Sequence, residues 1–266
     1  DSQVSLYYDG NLRVGPKRII PIAFLGAEHP EIEAELERIR ARRDHLPLHI
    51  APDFWVASGK NPEGDEERAG RRIRDLLGKG PRSLLQLSEA ADLGMTDVRR
   101  EMDRLEKKGL VQHCGITPTD FLHAKGTFAA WNRETALLAL QILCDRHRIS
   151  LPALSEKLAE VMERKMGLQI LDLVLAEQVR LHRDQDGCDV CSVFWDQCFS
   201  REKRSDHVQF HISLKNRLVG IGAPAHAFLP PVAQKLGTSV IVPFHAGVAN
   251  AIGAITGAVA ITDEAL

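Results

Sequence analysis

Residues 207–266 constrain the fold of this chain most, because short apolar runs alternate there with helix-forming segments. Residues 207–214 and 217–221 are rich in strand formers, with Lys215-Asn216 as the turn between them. A Gly220-Ile221-Gly222-Ala223-Pro224 loop then leads into a short helical stretch beginning at Ala225. The run Ser239-Val240-Ile241-Val242-Pro243 reads as a buried strand, and residues 245–260 as a helix rich in alanine and glycine. Strands alternating with helices in this way specify an α/β layer. Two glycines at the carboxyl end of a strand let the backbone approach a ligand, and the following helix start offers free N–H groups that suit anions. The same turn can serve packing alone. Small residues at Gly247, Ala249, Ala251, Gly253 and Gly257 also fit a helix lying close against a neighbour.

At 266 residues the chain has room for one large domain or two modest ones, and its core needs no disulfide or metal staple. A formal net charge of −2 argues against a whole-surface nucleic-acid binder, and an aromatic share of 5% against stacking platforms for single strands. Five cysteines without a short-spaced framework point to a reducing, cytoplasmic setting. The longest small-apolar run, residues 246–261, contains Asn250 and is shorter than the ~20 residues that span a bilayer, so no membrane association is expected. The chain starts at Asp1 and its first methionine is Met95, which reads as a piece of a longer polypeptide.

Along the chain, Asp9-Gly10-Asn11 between β-formers predicts a hairpin, and residues 18–20 and 54–57 predict short strands. Glu31, Glu33 and Glu35 at the start, with Arg38, Arg40, Arg42 and Arg43 at the end, mark a helix after Pro30 whose charges complement its dipole. Residues 65–77 predict a charged helix, stopped by Gly78, Gly80 and Pro81. Ser83 then caps residues 84–93, Gly94 breaks, Thr96 caps residues 97–108, and Leu110-Val111 begins a strand. This is a helix-turn-helix outline of the winged-helix kind. Its second helix carries Arg99, Arg100, Arg104, Lys107 and Lys108 against Asp97, Glu101, Asp103 and Glu106, a mixture unlike the basic face that reads DNA. Thr117-Pro118-Thr119-Asp120 is a helix start with cap, proline and acid in order. Long helical patterns follow over 134–148 and 152–180, the second bent or broken near Gly167.

Two constellations could carry chemistry. Asp120 and His123 share one helix face and could act as a catalytic pair orienting a water or a cation, or serve as a capping acid and a half-buried histidine. Cys188 and Cys191, with Cys198 and His182 nearby, offer a Cys₃His set for Zn²⁺, although Val193, Phe194 and Trp195 between them read as core. Free thiols or a redox pair are the alternatives; Cys114 and Cys144 read as buried small hydrophobes.

The run from Val219 through Pro231, together with residues 239–254, resembles the C-terminal signature of the hydantoinase/oxoprolinase family, in its hydantoinase A-type subunit. Asp1-Ser2 with Gly10-Asn11-Leu12-Arg13-Val14-Gly15-Pro16 resembles the tail of that family's second phosphate hairpin, and residues 115–126 resemble an internal family motif. The resemblance implies one ribonuclease-H-like half of the actin, sugar-kinase and heat-shock ATPase fold, built from residues 1–60 and 115–266, with a winged-helix-like insertion over 61–114. It implies ATP and Mg²⁺ as cofactors, with Gly220, Ile221, Gly222, Ala223, Pro224 and Ala225 at the adenosine and Asp1 and Ser2 at the phosphates. The implied reaction is ATP-dependent opening of a cyclic amide, or the related carboxylation of a carbonyl compound. The family's first phosphate loop and the glycines expected before Asp1 are not in this sequence. The implied partners are therefore a missing N-terminal half and a separate hydantoinase B-type subunit. Two other classes stay open: a ligand-sensing transcriptional regulator using residues 83–113, and a non-catalytic activator subunit.

Overall fold

The Asp9-Gly10-Asn11 turn closes an antiparallel hairpin of β1 (Ser2–Leu6) and β2 (Leu12–Arg18). Gly10 takes a φ of +76°, and the Asp9 carboxylate accepts the Asn11 backbone N–H at 2.9 Å. The computed structural model describes residues 1–7, 9–42, 44, 52–62, 67–175, 189–199, 207, 210–222 and 224–256, which form two compact units, Asp1–Leu158 and Ala159–Leu266. The molecule is a mixed α/β protein with small sheets.

In the first unit, β3 (Ile20–Pro21) runs directly into α1 (Ile22–Glu28), followed by α2 (Ile32–Ala41) and β4 (Phe54–Ala57). Helix α1 lies close against α7 (Arg133–His147). A Cβ at Gly26 would overlap the Thr135 side chain on α7, so glycine there lets two helices approach closely. Gly26→Ala should cost about 1–3 kcal/mol in urea unfolding, as overpacked cores do, and adding Thr135→Ala should recover part of that loss.

Helices α3 (Arg68–Leu77), α4 (Leu84–Ala91) and α5 (Met95–Lys107) enclose a core of Ile73, Leu77, Leu84, Leu87, Val98, Met102 and Leu105. Strand β5 (Arg82–Ser83) sits between α3 and α4, and β6 (Val111–Gly115) follows α5. The four-stranded sheet runs β3-β6-β4-β5, with β3 parallel to β6 and the other pairs antiparallel. In this sheet β4, lying between β6 and β5, comes from the chain before α3. Segment 61–114 shares its sheet with β3 and β4, which precede it in the chain. Glu35 on α2 also ties in this module, accepting Ser83 Oγ at 2.5 Å and Arg38 at 2.6 and 3.0 Å.

Ser83 caps α4 as expected, and the structure adds a capping box with Gln86. Helix α5, however, starts two residues earlier than expected. Gly94, not Thr96, is its cap, because the Asp97 and Val98 N–H groups bond the Gly94 carbonyl at 3.0 Å. Helix α6 (Pro118–Lys125) begins at Thr117, as its capping sequence predicts, and α7 packs on it.

Helix α8 (Leu151–Leu175) is continuous through Gly167, which corrects the expected break. The glycine serves packing: a Cβ there would collide with the Phe199 ring at the end of α9 (Asp189–Phe199). Phe199 joins Leu171, Trp195, Val232 and Leu236 in the core of the second unit. There β7 (Leu218–Val219), α10 (Ala225–Lys235) and β8 (Val240–Ile241) form a β-α-β unit with parallel strands. A 3₁₀ turn at Ala246–Val248 precedes α11 (Ala249–Thr256). The expected strand over 207–214 does not form in its described part: Leu214 N–H bonds the Leu236 carbonyl instead, joining the end of α10 and not a sheet. Among the described residues no helix is long and apolar enough to cross a membrane.

Candidate functional site

The glycine turn leaves the carboxyl end of β7. Gly220 is buried, its N–H bonds the Ile241 carbonyl at 2.8 Å, and a Cβ on it would press on Leu229, Ala225 and Val242. This first glycine is there for packing. Gly222 differs: its φ is +109°, a region that favours glycine, and the nearest atom a Cβ would meet is Pro224 Cδ at 4.0 Å. Its N–H reaches the Ala246 carbonyl at 2.8 Å, which fastens the turn to the 3₁₀ segment. Ile221 is 62% exposed and Pro224 is exposed, while Ala225 is buried at the first position of α10. Ala223 lies outside the described residues. The described part of the turn thus stands at a strand end with Ile221 and Pro224 exposed and the N–H groups of Gly220 and Gly222 already bonded within the unit.

Asp1 and Ser2 belong to the other unit. Asp1 accepts the Ser2 N–H at 2.8 Å and a close contact from the Thr119 hydroxyl. Asp120 is fully buried and accepts from Ala23 N, Thr117 N and Thr117 Oγ1 at 2.7–2.8 Å. Burial pushes its carboxyl up to about 6, against the hydrogen bonds from Ala23, Thr117 and Ile22 that hold it down. His123 is fully buried, not half-buried, and both its ring nitrogens are engaged. Nδ1 lies 2.9 Å from the Thr119 carbonyl, Nε2 accepts the Trp131 N–H at 3.1 Å, and the ring stacks on Trp131. The two side chains share a helix but hold different backbone segments.

Of the expected metal set, Cys188 and His182 lie outside the described residues, as does the side chain of Cys191. Cys198 is half-buried, with its thiol pushed up by burial. Among the described residues no three metal-ligating side chains converge. On α5, Arg99 faces Asp53 at 3.8 Å, Arg100 faces Asp97 at 3.3 Å, and Arg104 faces Glu67 at 2.6 Å and Glu101 at 3.6 Å. With these charges answered by acids, duplex DNA should not be retained at physiological salt in a mobility-shift assay. Salt-sensitive binding that weakens on replacing all three arginines would favour the regulator.

Sequence reasoning missed one cluster. His113 on β6 is buried and stacks under Trp55 with ring centroids 4.9 Å apart. Its Nε2 lies 3.3 Å from Asp53 Oδ1 and its Nδ1 3.6 Å from Glu106 Oε1. Glu106 accepts Trp55 Nε1 at 3.1 Å and closely contacts Lys17. Burial pushes Asp53 up, but attraction to His113 and the charges of Arg99 and Lys17 outweigh that and leave it below its ordinary value. The readable signal was a histidine at an inward position of a strand, paired with an acid just ahead of Phe54-Trp55. No family model, curated protein or solved structure matches this chain.

Proposed function

We propose that this chain is the adenosine-holding, C-terminal part of an ATP-dependent enzyme of the hydantoinase/oxoprolinase type, with the ribonuclease-H-like fold that type implies. The observation that carries the reading is the glycine turn after β7: a positive-φ Gly222 with unobstructed space on its Cα, at a strand end that leads into α10. The residues fit the role unequally. Gly220 makes the tight return beneath α10, while Gly222 leaves a face that a flat ring can approach without meeting a side chain. Bound ATP supplies the phosphoryl group that turns an unreactive amide or carbonyl oxygen into a leaving group, with Mg²⁺ neutralising phosphate charge. The resemblance would assign Asp1 and Ser2 to the phosphates; within the first unit Asp1 accepts the Ser2 N–H at 2.8 Å and contacts the Thr119 hydroxyl. Asp120 and His123 position α1 and the chain around Trp131 without touching the reacting atoms. The remaining phosphate donors belong to an N-terminal half, and a B-type subunit completes the assembly.

The test is an amide NMR titration of the 266-residue chain with ATP. Weak, millimolar binding should shift Gly220, Ile221, Gly222 and Ala225, and Gly222→Val should abolish those shifts. Shifts confined to residues 1–158, or none at millimolar ATP, would remove the adenosine assignment.

A further inference from the structure

The second unit carries a sheet with one covered face and one bare face. Strands β7 and β8 pair in parallel, Leu218 beside Val240 and Val219 beside Ile241. On one face Leu218 packs with Val232 and Leu236 of α10, and a Cβ on Gly220 would meet Leu229. Successive side chains of a strand point to opposite faces, and the positions that alternate with these are all exposed. They are Arg217, Val219 and Ile221 along one strand and its end, and Ser239, Ile241 and Pro243 along the other. Parallel sheets are built with both faces covered, so this one lacks a layer.

The apolar surface continues past the strands. The Gly222 N–H bonds the Ala246 carbonyl, which seats the 3₁₀ turn beside Ile221. Phe244 is 96% exposed, and Val248, Ile252 and Ile255, spaced four and three apart, carry an exposed stripe into α11. Residues 251–256 are exposed without exception. A helix with no polar face belongs in an interior. In a chain that is 26% charged, the only Lys, Arg, Asp or Glu between Leu218 and Thr256 is Lys235, which Glu163 holds at 2.7 Å.

We propose that this face is the interface of a homodimer, on which a second copy of the chain lays its own β7–β8 face about a two-fold axis. Charge chooses the occupant: the patch carries no sign for an unlike partner to answer, and a neutral apolar face is its own complement. Size agrees. A large side chain presents roughly 150–250 Å², so the exposed Val219, Ile221, Ile241, Phe244, Val248, Ile252 and Ile255 offer on the order of 800 Å², what each partner of a stable interface buries. That exceeds the ~300–600 Å² of the largest patch on an ordinary monomer. The two sheets would stack about 10 Å apart, with α10 on the outside of each copy. The inference does not rest on the adenosine reading, and its experiment contains no nucleotide.

Sedimentation of the 266-residue chain should show a reversible dimer with a Kd in the micromolar range or tighter. Ile241→Asp with Phe244→Asp places charges at exposed positions that the core does not use, and should weaken association at least about a hundredfold. Leu173→Asp, 79% exposed on α8 and outside the patch, should dimerise as the parent does. In the parent, amide exchange at residues 219–221 and 241–248 should slow as concentration rises. A chain that stays monomeric at about 100 μM would overturn the proposal and leave the face to an unlike partner. A dimer that survives the double replacement, or exchange at these residues that ignores concentration, would overturn it as well.

Discussion

Replacing Asp120 by alanine should destabilise the first unit by about 3–5 kcal/mol at neutral pH, among the largest single losses open to this chain. One carboxylate ends two helices. Its Oδ1 accepts the Ala23 N–H of α1, whose cap residue Pro21 makes no side-chain cap of its own. Its Oδ2 accepts the Thr117 N–H and hydroxyl, closing the first turn of α6. Alanine leaves these donors buried and unsatisfied, at roughly 1–3 kcal/mol each. The pH dependence has a definite sign. The folded carboxyl titrates near 6 against an ordinary 3.8, so the unfolded chain ionises first as pH rises. Stability from this group is full below about pH 3.8, declines toward pH 6 and is flat above, a change of about 3 kcal/mol. Asp120→Asn cannot titrate. Urea unfolding of both proteins between pH 4 and 7 should show the parent's advantage shrinking as pH rises. An advantage that stays constant or grows would mean that the hydrogen bonds, not burial, dominate the carboxylate.

Local chemistry made much of this fold readable. The Asp9-Gly10 turn, the Ser83 cap and the Thr117–Asp120 box each involve residues within three positions of one another, and each forms where the sequence puts it. The failures share the opposite property. Gly167 looks like a break until Phe199 arrives from thirty-two positions away to occupy the space above it. Residues 210–214 have strand composition but find the end of α10 before they find a strand. Strand β4 precedes helices α3 to α5 in the chain, so a reading in chain order sees a lone extended segment at 54–57. The glycine turn was legible as a turn at a strand end, because glycine pairs mark backbone geometry. The contact between Asp53 and His113 was not legible beyond an inward histidine and a nearby acid, because pairing β4 with β6 is what brings residues sixty positions apart to 3.3 Å.

Asp53→Asn should cost about 3–5 kcal/mol at neutral pH, by the opposite electrostatic logic. Asp53 is buried between Arg99 at 3.8 Å and His113 at 3.3 Å, in a chain of alternating charge that continues through Glu106 to Lys17. The amide keeps the shape and removes the charge, leaving Arg99 and His113 without the group that answers them. Because the folded carboxyl sits below its ordinary 3.8, its ionised form favours the native state. That stabilisation is complete above about pH 4 and is lost as pH falls toward the depressed folded value. The penalty of Asp53→Asn should therefore be largest near neutrality and fade in acid, whereas the parent's advantage over Asp120→Asn grows there. Two buried aspartates in one unit, one held down by cations and one pushed up by burial, should give mutants whose unfolding profiles diverge in opposite directions below pH 5. If Asp53→Asn unfolds like the parent at pH 7, the cluster is not held by that charge. Arg99 would then be free to turn to solvent, and His113 would owe its orientation to stacking on Trp55 alone.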